Sequence, residues 1–132
     1  MKKQRVYSPD VTEPAAGLWS NALRVGPQLF ISGLTARGKN LDEITGDDEY
    51  QQAMAVFSKI QHLVQAAGGE MNDIVKMTIY VTRIQHNTAV WQARREFFSG
   101  DFPACTLVEV SALARPDILL EIEATAFIGC AA

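Results

Sequence analysis

Between Asp47 and Gly69 the apolar residues Ala53, Val56, Phe57, Ile60, Leu63, Val64 and Ala67 recur in steps of three and four, the spacing of one buried stripe on an α-helix. Such a helix must bury its stripe against a second layer, so the chain cannot be all-β and needs a sheet or further helices beside it. Asp47 or Asp48 supplies the N-cap, and Gly68-Gly69 stops the element. Immediately downstream the period falls to two. Val75, Met77, Ile79 and Val81 alternate with Lys76, Thr78, Tyr80 and Thr82, which predicts a half-buried strand. A second helix is predicted over Asn87–Ser99, with Val90, Ala93 and Phe97 inward and Gly100 at its end.

The remaining segments read as strands. Asn21–Val25 and Gln28–Ser32 flank Gly26-Pro27 and predict a hairpin, and the polar, glycine-bearing stretch Leu34–Gly46 predicts a loop at a strand end. Near the C-terminus Cys105–Val110 and Leu119–Phe127 each alternate, and the short Ser111–Ile118 connection predicts that they pair with each other. The order β-β-α-β-α-β-β gives an α+β sandwich, a mixed sheet with both helices on one face, in a single domain spanning 1–132. Pro9, Pro14 and Gly17 mark residues 1–17 as an extended N-terminal arm. The second sheet face is expected to carry Leu107, Leu119 and Phe127 beside Glu109 and Glu121. That mixture is too apolar for bare exposure and too polar for a private core, so another subunit is expected to cover it.

Composition narrows the function classes. Twelve Lys and Arg against fifteen Asp and Glu leave a net charge of −3, with the basic residues scattered, which argues against a nucleic-acid footprint. The two cysteines, Cys105 and Cys130, do not make a disulfide scaffold. Lys2-Lys3-Gln4-Arg5 leads into Val6-Tyr7-Ser8-Pro9 rather than an apolar run, so no secretory signal or membrane anchor is expected and the chain is read as cytoplasmic. No Cys, His or carboxylate cluster has metal-ligand spacing, and His62 and His86 read as surface residues.

No Walker loop, GxGxxG, CxxC, HExxH or GxSxG motif is present, so any chemistry must come from a dispersed site. Glu121 and Glu123 lie two apart in a strand and therefore share a face. They suit either a salt bridge across a subunit interface or a general acid/base that positions water. Cys105 reads as a small buried residue, or as a nucleophile if nearby charge stabilises its thiolate. Ser32-Gly33 reads as a turn, or as a hydroxyl and N–H facing a ligand oxygen, while Trp19 and Trp91 read as core filling or as pocket walls.

Taken together, Leu29-Phe30-Ile31-Ser32-Gly33, Val64-Gln65-Ala66-Ala67-Gly68, Asp73–Val81, Phe97-Phe98, Phe102-Pro103-Ala104 with Val108-Glu109-Val110, and Glu121-Ile122-Glu123-Ala124 resemble the RidA/YjgF family of reactive-intermediate deaminases. The likeness runs from about Ala15 to Phe127. It implies a chorismate-mutase-like fold and a homotrimer whose sheets form an inner barrel, with small-molecule clefts at the subunit interfaces. Typical members hydrolyse imines and enamines such as 2-aminoacrylate to a keto acid and ammonia, with no cofactor. In that scheme the residue matching Glu121 positions the attacking water. Trp19, at a position usually held by Tyr, lines the cleft with Ser32-Gly33, and the backbone around Leu107 completes it.

Three departures stand out. Deaminating members carry an arginine after Pro103-Ala104 that forks onto the substrate carboxylate, and this chain has Cys105 there. Trp91 occupies a position that is often Asn in the family pattern. The Ala112–Ile118 connection is one residue longer and brings Arg115, a potential replacement cation. These changes make a less charged, more aromatic cleft. The expectation is a cofactor-independent deaminase of an imine, enamine or related C–N substrate other than a small 2-imino acid, such as one resembling 2-aminomuconate. The alternative is a non-catalytic small-molecule-binding trimer acting as a metabolite sensor or enzyme partner. The ribonuclease activity sometimes attributed to the family is disfavoured by the charge.

Overall fold

In the computed structural model, which describes residues 1–131, the helix begun by Asp48 is α1 (Glu49–Ala66). The Asp48 carboxylate accepts from the Gln51 N–H at 2.8 Å, and Gly68 takes the left-handed conformation (φ 86°) that closes the other end. Ala53, Val56, Phe57, Ile60, Leu63 and Val64 are buried as their spacing requires. Phe57 packs against Phe97 and Phe98 with ring centroids 5.5 and 6.1 Å apart, fixing the segment after α2 (Asn87–Arg95) over α1. That second helix stops at Arg95, short of the expected Ser99.

The strands β1 (Lys3–Arg5), β2 (Ala22–Val25), β3 (Gln28–Leu34), β4 (Ile74–Val81), β5 (Ala104–Glu109) and β6 (Leu120–Phe127) form one sheet in the order β1-β2-β3-β6-β4-β5. All neighbours are antiparallel except β4 and β5, which run parallel with α2 in the crossover. The α+β sandwich is therefore as expected, with Leu120, Ile122, Ala124 and Ala126 of β6 buried beneath the helix layer.

Three expectations need correction. β5 and β6 do not pair, because β6 inserts between β3 and β4. Four residues of β6 are buried in strict alternation, which suits a central strand, whereas β5 has none fully buried and forms the edge. Leu107 is not on the open face. In the parallel register it sits beside buried Ile79, and Cys105 beside buried Met77, so both pack half-buried against the core on the helix side. The N-terminal segment is not simply an extended arm. Lys3–Arg5 hydrogen-bond to β2, and Val6, Val11 and Pro14 are buried.

Two buried polar groups hold the layers together. Gln52 donates to the Gly46 and Asp117 carbonyls and accepts from the Leu119 N–H at 2.9 Å, tying the β5–β6 connection to α1 with every amide atom satisfied. The buried Glu49 carboxylate receives a two-pronged fork from Arg83 at 2.7 and 2.8 Å.

Candidate functional site

Side chains on β6 that avoid the helix layer include Glu121, opposite Tyr80, and Glu123, opposite Thr78. The Tyr80 hydroxyl donates to Glu123, and that bond is the main reason the phenol is pushed above its ordinary range. Glu121 is half-buried. Burial, and then the nearby Glu123 charge, raise its pKa above the usual glutamate value, so its carboxylate is a stronger base than one in water.

The other flank of Glu121 is β3. Its pairing with β6 slips between Ile31 and Leu34, and Ser32-Gly33 sits in the slip. A Cβ on Gly33 would fall 2.6 Å from Oε2 and 2.9 Å from Cδ of Glu121, so the carboxylate reaches this position only because residue 33 has no side chain.

Glu121, Gly33 and Trp19 line one cleft of about 320 Å³. Its rim is the segment following β1, with Pro14, Leu18 and Trp19. Two polar ties hold that segment. Arg5 donates to the Glu13 carboxylate at 2.7 Å and to the Trp19 carbonyl at 3.1 Å, and the Asn21 amide donates to the Thr12 carbonyl at 3.1 Å. Trp19 is 54% exposed at the mouth, a pocket wall rather than core filling. Arg37 and Lys59 also line the cleft, and sequence reasoning missed both. Lys59 belongs to the polar flank of α1, and nothing in its spacing shows that the loop after β3 folds back over it. Burial, and then Arg37, lower its pKa to about 8.

The other expected site residues lie elsewhere. The Ser32 hydroxyl is engaged, donating to the Ser20 carbonyl at 2.5 Å, and Ser32 lines a separate hollow with Phe30 and Glu123. Cys105 and Leu107 belong to the helix side of edge strand β5, and Trp91 lies 39% exposed on α2. None of these four lines the Glu121 cleft. Arg115 forks onto Asp117 at 2.7 and 3.0 Å and donates to the Asp42 carbonyl at 2.6 Å, so its guanidinium is already committed to its own loop and to the loop after β3. Among the described residues no helix is long and apolar enough to cross a membrane.

A helix-backed mixed sheet with a strand-borne carboxylate set against a glycine bulge defines the class of protein, and comparison with known proteins supplies the family. Residues 11–128 match the family described as Endoribonuclease L-PSP. A 2-iminobutanoate/2-iminopropanoate deaminase of Dermatophagoides farinae is 32% identical over 126 residues, covering 93% of this chain and 95% of the relative. A crystal structure of a protein of unknown function from Pseudomonas aeruginosa superposes with a TM-score of 0.87 at 38% identity, covering 97% of this chain and 94% of that one. A Rid-family protein of Yersinia pestis has a TM-score of 0.87 at 30% identity, covering 96% and 100%. The chain belongs to the RidA/YjgF family.

Proposed function

We propose that this protein is a cofactor-independent hydrolytic deaminase of an imine, enamine or related C–N substrate. The observation that carries the reading is Glu121, a half-buried carboxylate of raised basicity lining a cleft beside Gly33 and Trp19. Glu121 takes a proton from water as the oxygen bonds to the C=N carbon, and passes that proton to the nitrogen to leave a carbinolamine. It then takes the remaining hydroxyl proton and delivers it to the amine as the C–N bond breaks, the electron pair leaving on ammonia and the oxygen becoming the carbonyl. Trp19 walls the cleft, and no metal or organic cofactor takes part. Cys105 in place of the family's carboxylate-binding arginine, and its position on β5 beside Met77, support a substrate other than a small 2-imino acid, one resembling 2-aminomuconate.

The test is ammonia and carbonyl release from imines generated in situ by an amino-acid oxidase, over small and aromatic side chains, with an aminomuconate in parallel. Release above the rate in buffer supports hydrolysis. Saturable ligand binding with no acceleration on any of these would instead favour a non-catalytic small-molecule-binding protein, the second reading that Cys105 leaves standing.

The working unit of this reading is a homotrimer in a reducing cytoplasmic setting. The sheet face away from the helices leaves Phe30, Val108 and Phe127 about two-fifths exposed (45%, 39% and 40%), apolar area that a second copy would cover. The family resemblance is what supports a cleft between copies to which Trp91, Cys105, Leu107 and Ser32 contribute. Light scattering is expected to give a mass three times 14.5 kDa, and a monomer would remove the interface cleft from the proposal.

A further inference from the structure

The Glu121 cleft holds two cations whose charges are not answered by the protein. Lys59, in the middle of α1, uses one of its three donors on the Thr35 carbonyl at 2.7 Å. Arg37, in the loop after β3, donates through Nη1 to the Leu41 carbonyl at 2.7 Å. Both bonds go to neutral backbone. Among the described residues the ion pairs are Arg5–Glu13, Arg83–Glu49 and Arg115–Asp117, with a His62–Asp10 contact that is ionic only when the imidazole is protonated, and neither cleft cation belongs to any of them.

Placing two cations together without a counter-ion is unfavourable, and the protein shows the strain of it. Burial and the Arg37 charge pull the Lys59 ammonium down to about 8. Glu121 does not relieve them. Among the described residues its carboxylate forms no ion pair with either of them, so the cations and this carboxylate stand apart within one cleft. Asp10 borders the hollow on the far side of Arg37 and Lys59, but it lies 3.5 Å from His62 Nδ1. In a chain of net charge −3, which repels anions at long range, a retained unpaired cation pair in a concave site is a local exception.

We propose that Arg37 and Lys59 form the anion-binding end of the cleft, and that the substrate carries a carboxylate several bonds away from its C–N carbon. The two ends then divide the work: the cations hold the remote carboxylate through charge-assisted hydrogen bonds, and Glu121 addresses the C–N carbon. This supplies a cationic receptor from α1 and the loop after β3 in a chain whose residue 105 is Cys rather than arginine. A flat, extended substrate fits such spacing better than a 2-imino acid whose carboxylate adjoins the C=N carbon. The assignment of the C–N end rests on the hydrolytic reading above, whereas the anion site stands on its own residues.

Binding of two product analogues of equal chain length tests it. Calorimetry at pH 7 compares 2-oxoadipate, which has a remote carboxylate, with 2-oxohexanoate, which lacks one. The expected result is at least tenfold tighter binding of 2-oxoadipate by the wild type. The preference should collapse to under twofold in Arg37→Gln and Lys59→Gln, persist in Lys59→Arg, and persist in Arg115→Gln. Thermal melting checks that each variant is folded. Equal affinity for the two acids, no binding of either at millimolar concentration, or a preference that survives in both glutamine variants would overturn the anion site. A clear preference in a protein that accelerates no imine hydrolysis would uphold the anion site and sink the hydrolytic reading alone.

Discussion

Replacing Glu121 by Gln is expected to lower the rate of imine hydrolysis by about two to three orders of magnitude, the usual share of a positioned general base. The amide keeps the shape of the carboxylate and its place against Gly33, so substrate binding changes little and the loss falls on kcat. What disappears is the ability to take a proton from water. The wild-type pH profile gives an independent check. A base whose pKa is raised by burial and by Glu123 must lose its proton before it can act, so activity rises with pH through a midpoint above the ordinary value of 4.5 and then levels off. Glu121→Gln should lose that rise along with the rate. Stability should move in the opposite direction. A carboxyl with a raised folded-state pKa favours folding below its unfolded pKa and loses that contribution as pH climbs through the folded value, so at pH 7 the ionised Glu121 disfavours the fold. The glutamine variant is therefore expected to melt at or above the wild-type temperature. Activity within threefold of wild type would remove Glu121 from the chemistry.

The parts of this site that could be read from the chain are those encoded by local period. Glu121 and Glu123 share a face because strands alternate, and α1 shows its stripe and both caps in its own residues. Strand partners are a different matter, since they depend on which edges meet. β6 shows little in its own sequence to distinguish a hairpin with β5 from insertion between β3 and β4, apart from its strict burial of alternate positions. Leu107 followed from that error: once β5 lies parallel to β4, its odd-numbered residues turn to the helix side with Met77 and Ile79. Lys59 and Arg37 were hidden for a similar reason. One lies on the polar flank of a helix and the other in a loop, and only the fold-back of residues 34–46 makes them neighbours in a cleft. A faint signal did exist. Lys59 follows the buried Phe57 by two and precedes the buried Ile60 by one, a position at the margin of the apolar stripe where a lysine stem is half covered.

Gly33→Ala is expected to reduce imine hydrolysis about a hundredfold while leaving the protein folded, which is the cost that roughly 1 Å of misplacement imposes on a catalytic group. The reasoning is steric rather than conformational, because Gly33 does not occupy the left-handed region. An added methyl would lie 2.6 Å from Oε2 and 2.9 Å from Cδ of Glu121, closer than non-bonded atoms approach, and a tight 3.1 Å from Cγ. The crowding runs from the carboxylate down to Cγ, so the side chain is expected to rotate about its stem rather than turn at the carboxylate alone. β3 cannot retreat easily, because Leu34 pairs with Ile122 just beyond the slip and both are buried. Glu121 therefore leaves its position beside β3, and the water it would activate goes with it. Its carboxylate also becomes better hydrated as it swings toward solvent, so the acidic limb of the pH profile should shift down toward the ordinary glutamate range. That shift separates displacement of the base from simple blockage of the cleft. Blockage would raise KM and leave the pH profile in place, whereas displacement lowers kcat and moves the profile. Full activity in Gly33→Ala would mean that the contact between residue 33 and Glu121 does not set the position of the reacting carboxylate.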